Sequence, residues 1–483
     1  MERRMSRRKF AKGLAAGAAL FALQPACTSV PRWLPTDQAL RNDLKDLSGT
    51  LLFDDATRQA AAGDFGNIVH RMPIAVLRPG SVQDIVRTVQ FANRHGVEVA
   101  MRTAGSHAFF GQSQVDAGVV VDARPLNSVR IVNFGGRSAL EVGPGAQWGP
   151  VLDAANASRL TPPVNIDDMP LSVGGTISTM GFGGATGREG FQVDHVLEVE
   201  VVTGQGELVT CSDERNGDLF NAVLAGMGQC GIIVKVVMAL VPAPSNVLFF
   251  VLSYTDLQTA VADLTLLVNG ERFKHLDGRT AARSGGGFTY NVEAGIFYDA
   301  AHAPDERQLL AGLKFASRTT KAMTYAEYYR RVTDFSPAAY LLPHPWLYLC
   351  LPAAGFMDYA TRVIATPAEV AFASPRFSVW RTSSMKRPLA RVPNGDLVYR
   401  FQLGRVPPAS ADIASLVAMN RTLYERARDL GGTRMTSSAI PFSQADWIRH
   451  YGPAWKPFAA AKSRFDPNNV LTPGQRMFGP DSG

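Results

Sequence analysis

From Pro73 onward the chain alternates short apolar runs with longer segments of helical periodicity. Ile74-Ala75-Val76-Leu77 reads as a strand that stops at Pro79-Gly80. Ser81-Val82-Gln83-Asp84 has the form of a helix start, a capping serine with an acid three residues on. Ile85, Val89 and Ala92 continue one apolar face at helical spacing up to His95-Gly96, a C-terminal stop. Val97–Met101 and Gly118–Asp122 follow as strands that run into glycine-bearing loops. The alternation returns with a strand over Leu197–Val202, a helix over Asp218–Leu224 and a strand over Ile232–Leu240.

Val241-Pro242-Ala243-Pro244 interrupts this pattern and marks a domain boundary. Beyond it, strands such as Leu248–Leu252 and Leu347–Leu351 mix with helices such as Tyr325–Val332 and Asp412–Leu430. That mixture predicts an α+β domain on an antiparallel sheet over 246–435, after a first domain over 57–245. Residues 436–483 form a C-terminal segment, helical from Asp446 to Lys462 and rich in turns after it. Residues 28–56 read as a linker leading into a first helix.

Composition narrows the class. With 483 residues, 46% hydrophobic and 19% charged, the chain has material for two or three domains and is not a disordered one. No uninterrupted apolar run reaches about 20 residues, so a multi-pass membrane protein is excluded. The net charge of +7 would suit a nucleic-acid partner, but its distribution does not. Residues 1–27 carry Arg3, Arg4, Arg7, Arg8, Lys9 and Lys12 against Glu2 alone, so five of the seven charges sit there. A basic start precedes the apolar stretch Gly13–Leu23, the layout of an export signal too short to span a bilayer. Ser6-Arg7-Arg8-Lys9-Phe10-Ala11-Lys12 resembles a twin-arginine signal, which implies export of a folded protein to the periplasm or beyond. Cys27 is a candidate lipid-attachment site, although Gln24-Pro25-Ala26 matches poorly the residues that usually precede one. Cys211, Cys230 and Cys350 are too widely spaced for a disulfide framework or a zinc site, and no metal is expected.

Three segments are candidates for chemistry. Gly226-Met227-Gly228-Gln229-Cys230-Gly231 fits the dinucleotide fingerprint, but a helix precedes it and a strand follows, the reverse of what that fingerprint needs. Its glycines still leave room for some other cofactor contact. In Arg102–Ser113, the small residues Ala104, Gly105 and Ser106 can expose successive backbone N–H groups to a pyrophosphate, and His107 sits among them. A loop histidine taken alone is more often a hydrogen-bonded bystander. In Pro162–Ser178, Asp167 and Asp168 stand before Gly174-Gly175 and two hydroxyl residues, either as a solvated turn or as a loop closing over a ligand.

These residues resemble the flavoproteins with the FAD-binding fold of vanillyl-alcohol oxidase, and within them cytokinin dehydrogenase. The similar segments include Ala75–Ser81, His107 with Gly111-Gln112, Leu171–Thr176, Val201–Glu207 and Gly228–Ile233. In the second half they include His344-Pro345-Trp346-Leu347, Asp446-Trp447, His450–Pro453, Phe465-Asp466-Pro467 and Pro473–Arg476. The resemblance implies a PCMH-type FAD-binding domain of two subdomains, built from both ends of the chain, with an inserted substrate cap. It implies covalent attachment of FAD through His107. Cofactor contacts are implied for Ala104, Gly105, Ser106, Ala108, Gln112, Asp167, Ser172, Ser178, Phe182, Ile232, Thr472 and Gln475. Asp167 falls on the catalytic aspartate, and Asp168, Glu293, Trp346 and Tyr348 fall on the substrate side.

The activity implied is oxidation of the side-chain secondary amine of an N6-substituted adenine, with a quinone or oxygen as electron acceptor. A carboxylate that accepts the N–H orients the nitrogen lone pair while hydride leaves the α-carbon, and water then splits the imine. An oxidase of the same fold acting on an alcohol, a sugar or another amine is the alternative, and a non-catalytic exported flavoprotein a second. The chain departs from the family at several points. Arg102 lies five residues before His107 rather than four. Asn165, Ile166 and Asp168 replace tryptophan, threonine and tyrosine, Ser437 replaces a tyrosine, and Tyr348 an asparagine. These changes concern the substrate more than the cofactor.

Overall fold

The alternation of the first half builds two sheets over one shared core. The computed structural model describes residues 37–103, 108–299, 303–332 and 341–479. The first sheet has the order Thr50–Leu52, Ala75–Arg78, Val119–Asp122, Val99–Arg102. Its last three strands run parallel and Thr50–Leu52 runs antiparallel at the edge. The second sheet is antiparallel, in the order Val129–Phe134, Arg137–Val142, Gly231–Ala239, Val196–Thr203, Leu208–Cys211. Helix Val82–His95 covers the first sheet with Ile85, Val89, Phe91 and Ala92, all fully buried. The core beneath also takes Val202, Ile232 and Val234 from the second sheet.

The stretch expected to be linker is part of the fold from residue 37 onward. Helix Asp37–Asp43 buries Leu40, and Thr50–Leu52 pairs with Val76–Arg78. The Asp84 carboxylate accepts the backbone N–H groups of Ser48, Gly49, Gly80 and Ser81, tying that segment to the helix start. Leu40, Leu44, Leu47, Leu51 and Phe53, spaced among charged residues, supply the apolar side that docks it. Residues 1–36, including the export signal and Cys27, lie outside the described residues.

From Asn246 to Arg434 the chain forms an eight-stranded antiparallel sheet. Strand alternation sends its apolar side chains one way, against helices Leu257–Asn269, Ala353–Ile364 and Ile413–Asp429. The side chains of Tyr348, Ser378, Trp380, Arg400 and Gln402 point the other way, into a cavity. Cys211, Cys230 and Cys350 are buried, and burial pushes each thiol up to about 12. No helix among the described residues is long and apolar enough to cross a membrane.

After Arg434 the chain returns to the first half. Helices Gln444–Tyr451 and Trp455–Phe465 end at a buried pair, Lys462 Nζ to Asp466 Oδ2 at 2.6 Å. Asp466 also accepts the N–H groups of Val470 and Leu471, while Lys462 donates to the Gln229 carbonyl at 2.8 Å. Gly204 makes the close approach feasible, since a Cβ there would stand 2.2 Å from Asp466 Oδ1. Lys462→Met would leave Asp466 buried without its partner. The variant is expected to lose about 3–5 kcal/mol of stability, read as a lowered urea midpoint.

Candidate active site

A cavity of about 730 Å³ lies between the two sheets' loops and the cap sheet, within the ~300–1,000 Å³ range of small-molecule and cofactor sites. One wall belongs to the first half. Thr103 follows the strand Val99–Arg102, and its Oγ1 lies 2.6 Å from Ser172 Oγ. Ser172 caps helix Val173–Thr179, accepting from Gly175 N–H, and Ser178 Oγ donates to the Gly174 carbonyl. Gln112 Nε2 donates to the Thr436 carbonyl at 2.8 Å. The buried carboxylate of Asp64 shapes this loop, accepting from Ile68, Val69 and Phe110 N–H groups, and desolvation pushes it above its ordinary value.

The Gly226–Gly231 segment joins this wall without acting as a dinucleotide fingerprint. Helix Gly217–Val223 precedes it and strand Gly231–Ala239 follows. Its use is close packing: Gly228 has φ +71°, and a Cβ there would stand 2.8 Å from Thr472 Oγ1. Thr472, brought back by the C-terminal segment, lines the same wall.

The opposite wall comes from the cap. Trp346 packs against Phe65 and Phe109 with ring centroids 5.3 and 5.2 Å away, which joins the cap to the loop after Asp64. Tyr348 is buried beside it, and burial pushes its phenol up to about 12. Asp277, Arg279, Arg376 and Arg400 also line the cavity, on alternate positions of neighbouring strands.

Asp167 stands where the walls meet. Asn165 Nδ2 donates to the Tyr325 hydroxyl at 2.6 Å and fixes the loop that carries it. Arg331 Nη2 lies 2.9 Å from Asp167 Oδ1, and the guanidinium carbon stands 4.4 and 5.2 Å from the ring centroids of Tyr328 and Phe249. Desolvation works to raise the Asp167 carboxyl, but the charges of Arg331, His275 and Arg279 outweigh it and hold it well below the usual range. Arg331 takes Oδ1 alone, so Oδ2 has no hydrogen-bond partner among the described residues.

Of the expected site residues, Ala108, Gln112, Asp167, Asp168, Ser172, Ser178, Phe182, Ile232, Trp346, Tyr348 and Thr472 line the cavity. Ala104, Gly105, Ser106 and His107 lie outside the described residues. Two expected residues stand off the cavity lining. Gln475 does not line the cavity, because its Nε2 donates to the Phe109 and Phe110 carbonyls and braces the wall from behind. Glu293 does not line it either, since it pairs with Arg279 at 2.7 Å and faces His275 at 3.7 Å. Arg331, His275 and the roof arginines were not legible as site residues, although charged residues alternating on a strand, as at Asp277/Arg279 and Arg400/Gln402, are a signal.

The cavity fits FAD. Ser113 Oγ is buried on its wall with no hydrogen-bond partner among the described residues, and Gly174, Gly175, Gly228 and Gly231 leave its floor without side chains.

Comparison with known proteins follows the same division. Residues 73–212 match the model of an FAD binding domain, and 272–478 match that described as cytokinin dehydrogenase 1, FAD and cytokinin binding. The chain is 32% identical to an uncharacterized oxidoreductase, ORF5 in the fasciation locus, of Rhodococcoides fascians, over 89% of this chain and 99% of that protein. It is 31% identical to cytokinin dehydrogenase 7 of Oryza sativa subsp. japonica, over 95% of this chain and 96% of that one. The structure superimposes on 6-hydroxy-D-nicotine oxidase from Arthrobacter nicotinovorans with a TM-score of 0.71, at 20% identity over 90% of this chain and 98% of that one, a shared fold.

Because its folded value is depressed, the Asp167 carboxyl adds stability above its ordinary 3.8 and loses that contribution as pH falls toward the lower folded value. Arg331→Gln removes the nearest cation and leaves desolvation less opposed. The Asp167 carboxyl is then expected to rise by about 1–3 pH units, measured by NMR titration of aspartate-labelled protein.

Proposed function

The chain belongs to the cytokinin dehydrogenase family of FAD-dependent oxidoreductases, and from that premise we propose that it oxidises the side-chain secondary amine of an N6-substituted adenine. The observation that carries the reading is Asp167: an ionised carboxylate on the cavity wall with one oxygen held and the other open. Thr103, Gln112, Ser172, Ser178, Ile232 and Thr472 would hold FAD, which supplies the hydride acceptor when bound.

Asp167 Oδ2 accepts the substrate N–H and turns the nitrogen lone pair toward the carbon that loses hydride. With its carboxyl held so low, Asp167 is a poor proton sink. Its work is orientation and electrostatic stabilisation of the positive charge that grows on nitrogen as the C–H bond breaks. Arg331 keeps the carboxylate ionised and fixed by the bond to Oδ1. The nitrogen then releases its proton to solvent water to give the neutral imine, and a water molecule adds across the C=N bond and cleaves it to adenine and an aldehyde. The two electrons pass on to a quinone or oxygen. Covalent attachment of the flavin through His107 and twin-arginine export rest on the family resemblance and on the first 27 residues. Export of a folded, loaded protein suits a cofactor acquired in the cytoplasm.

Incubation with isopentenyladenine and a quinone dye should bleach and recycle the flavin; no bleaching at any concentration would sink the substrate assignment. Asp167→Asn is expected to lower kcat/KM for that amine by about 10²–10³ while the flavin absorbance stays intact. For the covalent link, a denaturing gel should show an acid-stable fluorescent band that His107→Ala abolishes. A band that survives the substitution would assign the attachment elsewhere.

A further inference from the structure

Across the cavity roof, four side chains stand in one row on neighbouring strands. Arg279 is in register with Arg376, Arg376 with Gln402, and Gln402 with Tyr348, and all four line the cavity. Two guanidinium groups directly opposite on one sheet face repel each other. Most of the roof's positive charge is offset locally. Glu293 stands 2.7 Å from Arg279, Asp277 2.7 Å from Arg400, and Asp167 2.9 Å from Arg331. Arg376 is the exception: it makes no side-chain hydrogen bond or ion pair among the described residues, and it is half-buried.

Its neighbours add donors rather than acceptors. The Gln402 Oε1 is taken by Arg400, which leaves Nε2 without an acceptor among the described residues. Ser374 precedes Arg376 by two positions on the same strand, lines the cavity and has no side-chain partner among the described residues. Asp277, on the strand beside Arg376, is already bonded to Arg400 and Ser378. A half-buried guanidinium facing another, flanked by an amide nitrogen and a hydroxyl, lacks only an acceptor.

We propose that this row is an anion subsite, and that the substrate carries a phosphate or carboxylate group that docks on Arg376. A guanidinium presents paired N–H groups that match either oxyanion, and Gln402 Nε2 and the Ser374 hydroxyl supply further donors. The anion also relieves the repulsion between Arg279 and Arg376. This deepens the amine-oxidation reading, on which it rests only for the bond that is oxidised; the anion contact itself is independent of turnover.

Two matched pairs of probes test it by calorimetry on the flavin-loaded protein: adenosine 5′-monophosphate against adenosine, and N-benzylglycine against N-benzylmethylamine. In at least one pair the anionic member should bind about tenfold or more tighter, and the pair that responds tells phosphate from carboxylate. Arg376→Gln should bring that ratio to about one, while Arg376→Lys should keep part of it, with flavin absorbance reporting that both variants are folded. Equal binding within both pairs, or a ratio that survives Arg376→Gln, overturns the subsite. A ratio that depends on Arg376 in a protein that isopentenyladenine fails to bleach would leave the subsite standing and remove the amine reading alone.

Discussion

The buried pair between Lys462 and Asp466 closes this structure on itself. Both side chains are almost fully withdrawn from water, an arrangement that holds only if every charge and lone pair finds a partner. Here they do: the ammonium reaches two backbone carbonyls besides its acid, and the carboxylate collects two backbone N–H groups. The pair thereby fixes the turn that lays Val470 and Leu471 beside Val99, in the core of the first half. Thr472 follows at once and enters the cavity wall. The cofactor wall therefore depends on residues more than 360 positions apart in the sequence, joined by backbone hydrogen bonds from Val99 N–H to the Val470 carbonyl and from Thr472 N–H to the Val99 carbonyl, on a turn that the ion pair holds in shape.

That closure explains how a cap nearly 190 residues long sits between two parts of one binding domain without separating them. Chain leaves the first half at Pro242, forms the eight-stranded sheet and comes back after Arg434. The sheet's two faces do different work. One is apolar and buried under three helices, which gives the cap a core of its own. The other carries aromatic and charged side chains over the cavity, where their electrostatics are set by how evenly acids and arginines are matched. Asp167 sits at the edge of that charged face, and its ionisation is a property of the cap as much as of its own loop.

Local signals in the sequence were strong where local physics decides. The capping pattern at Ser81–Asp84, the glycine stop at Gly96 and the β-rich runs of the first half correspond to elements of the structure, because capping, helical spacing and strand alternation act over a few residues. The 37–56 stretch reads as linker, although it carries a helix and an edge strand, for the opposite reason. Its apolar positions are sparse, and only the groove beside helix Val82–His95 gives them something to pack against. Gln475 and Glu293 stood beside family motifs, but their side chains are claimed by backbone carbonyls and by Arg279, partners that no spacing reveals.

The sequence by itself determined the class of the protein: two kinds of domain, an FAD-binding family, and Asp167 next to a glycine-rich helix start. It did so because strand and helix periodicity and family motifs are written in consecutive residues. The tertiary structure alone decided the charge of the site. Arg331 is 164 residues from Asp167, and Arg376 meets Arg279 only because their strands are neighbours in the sheet. Coulomb interactions depend on distance in space, and the sheet register that sets those distances is fixed by packing across the whole cap.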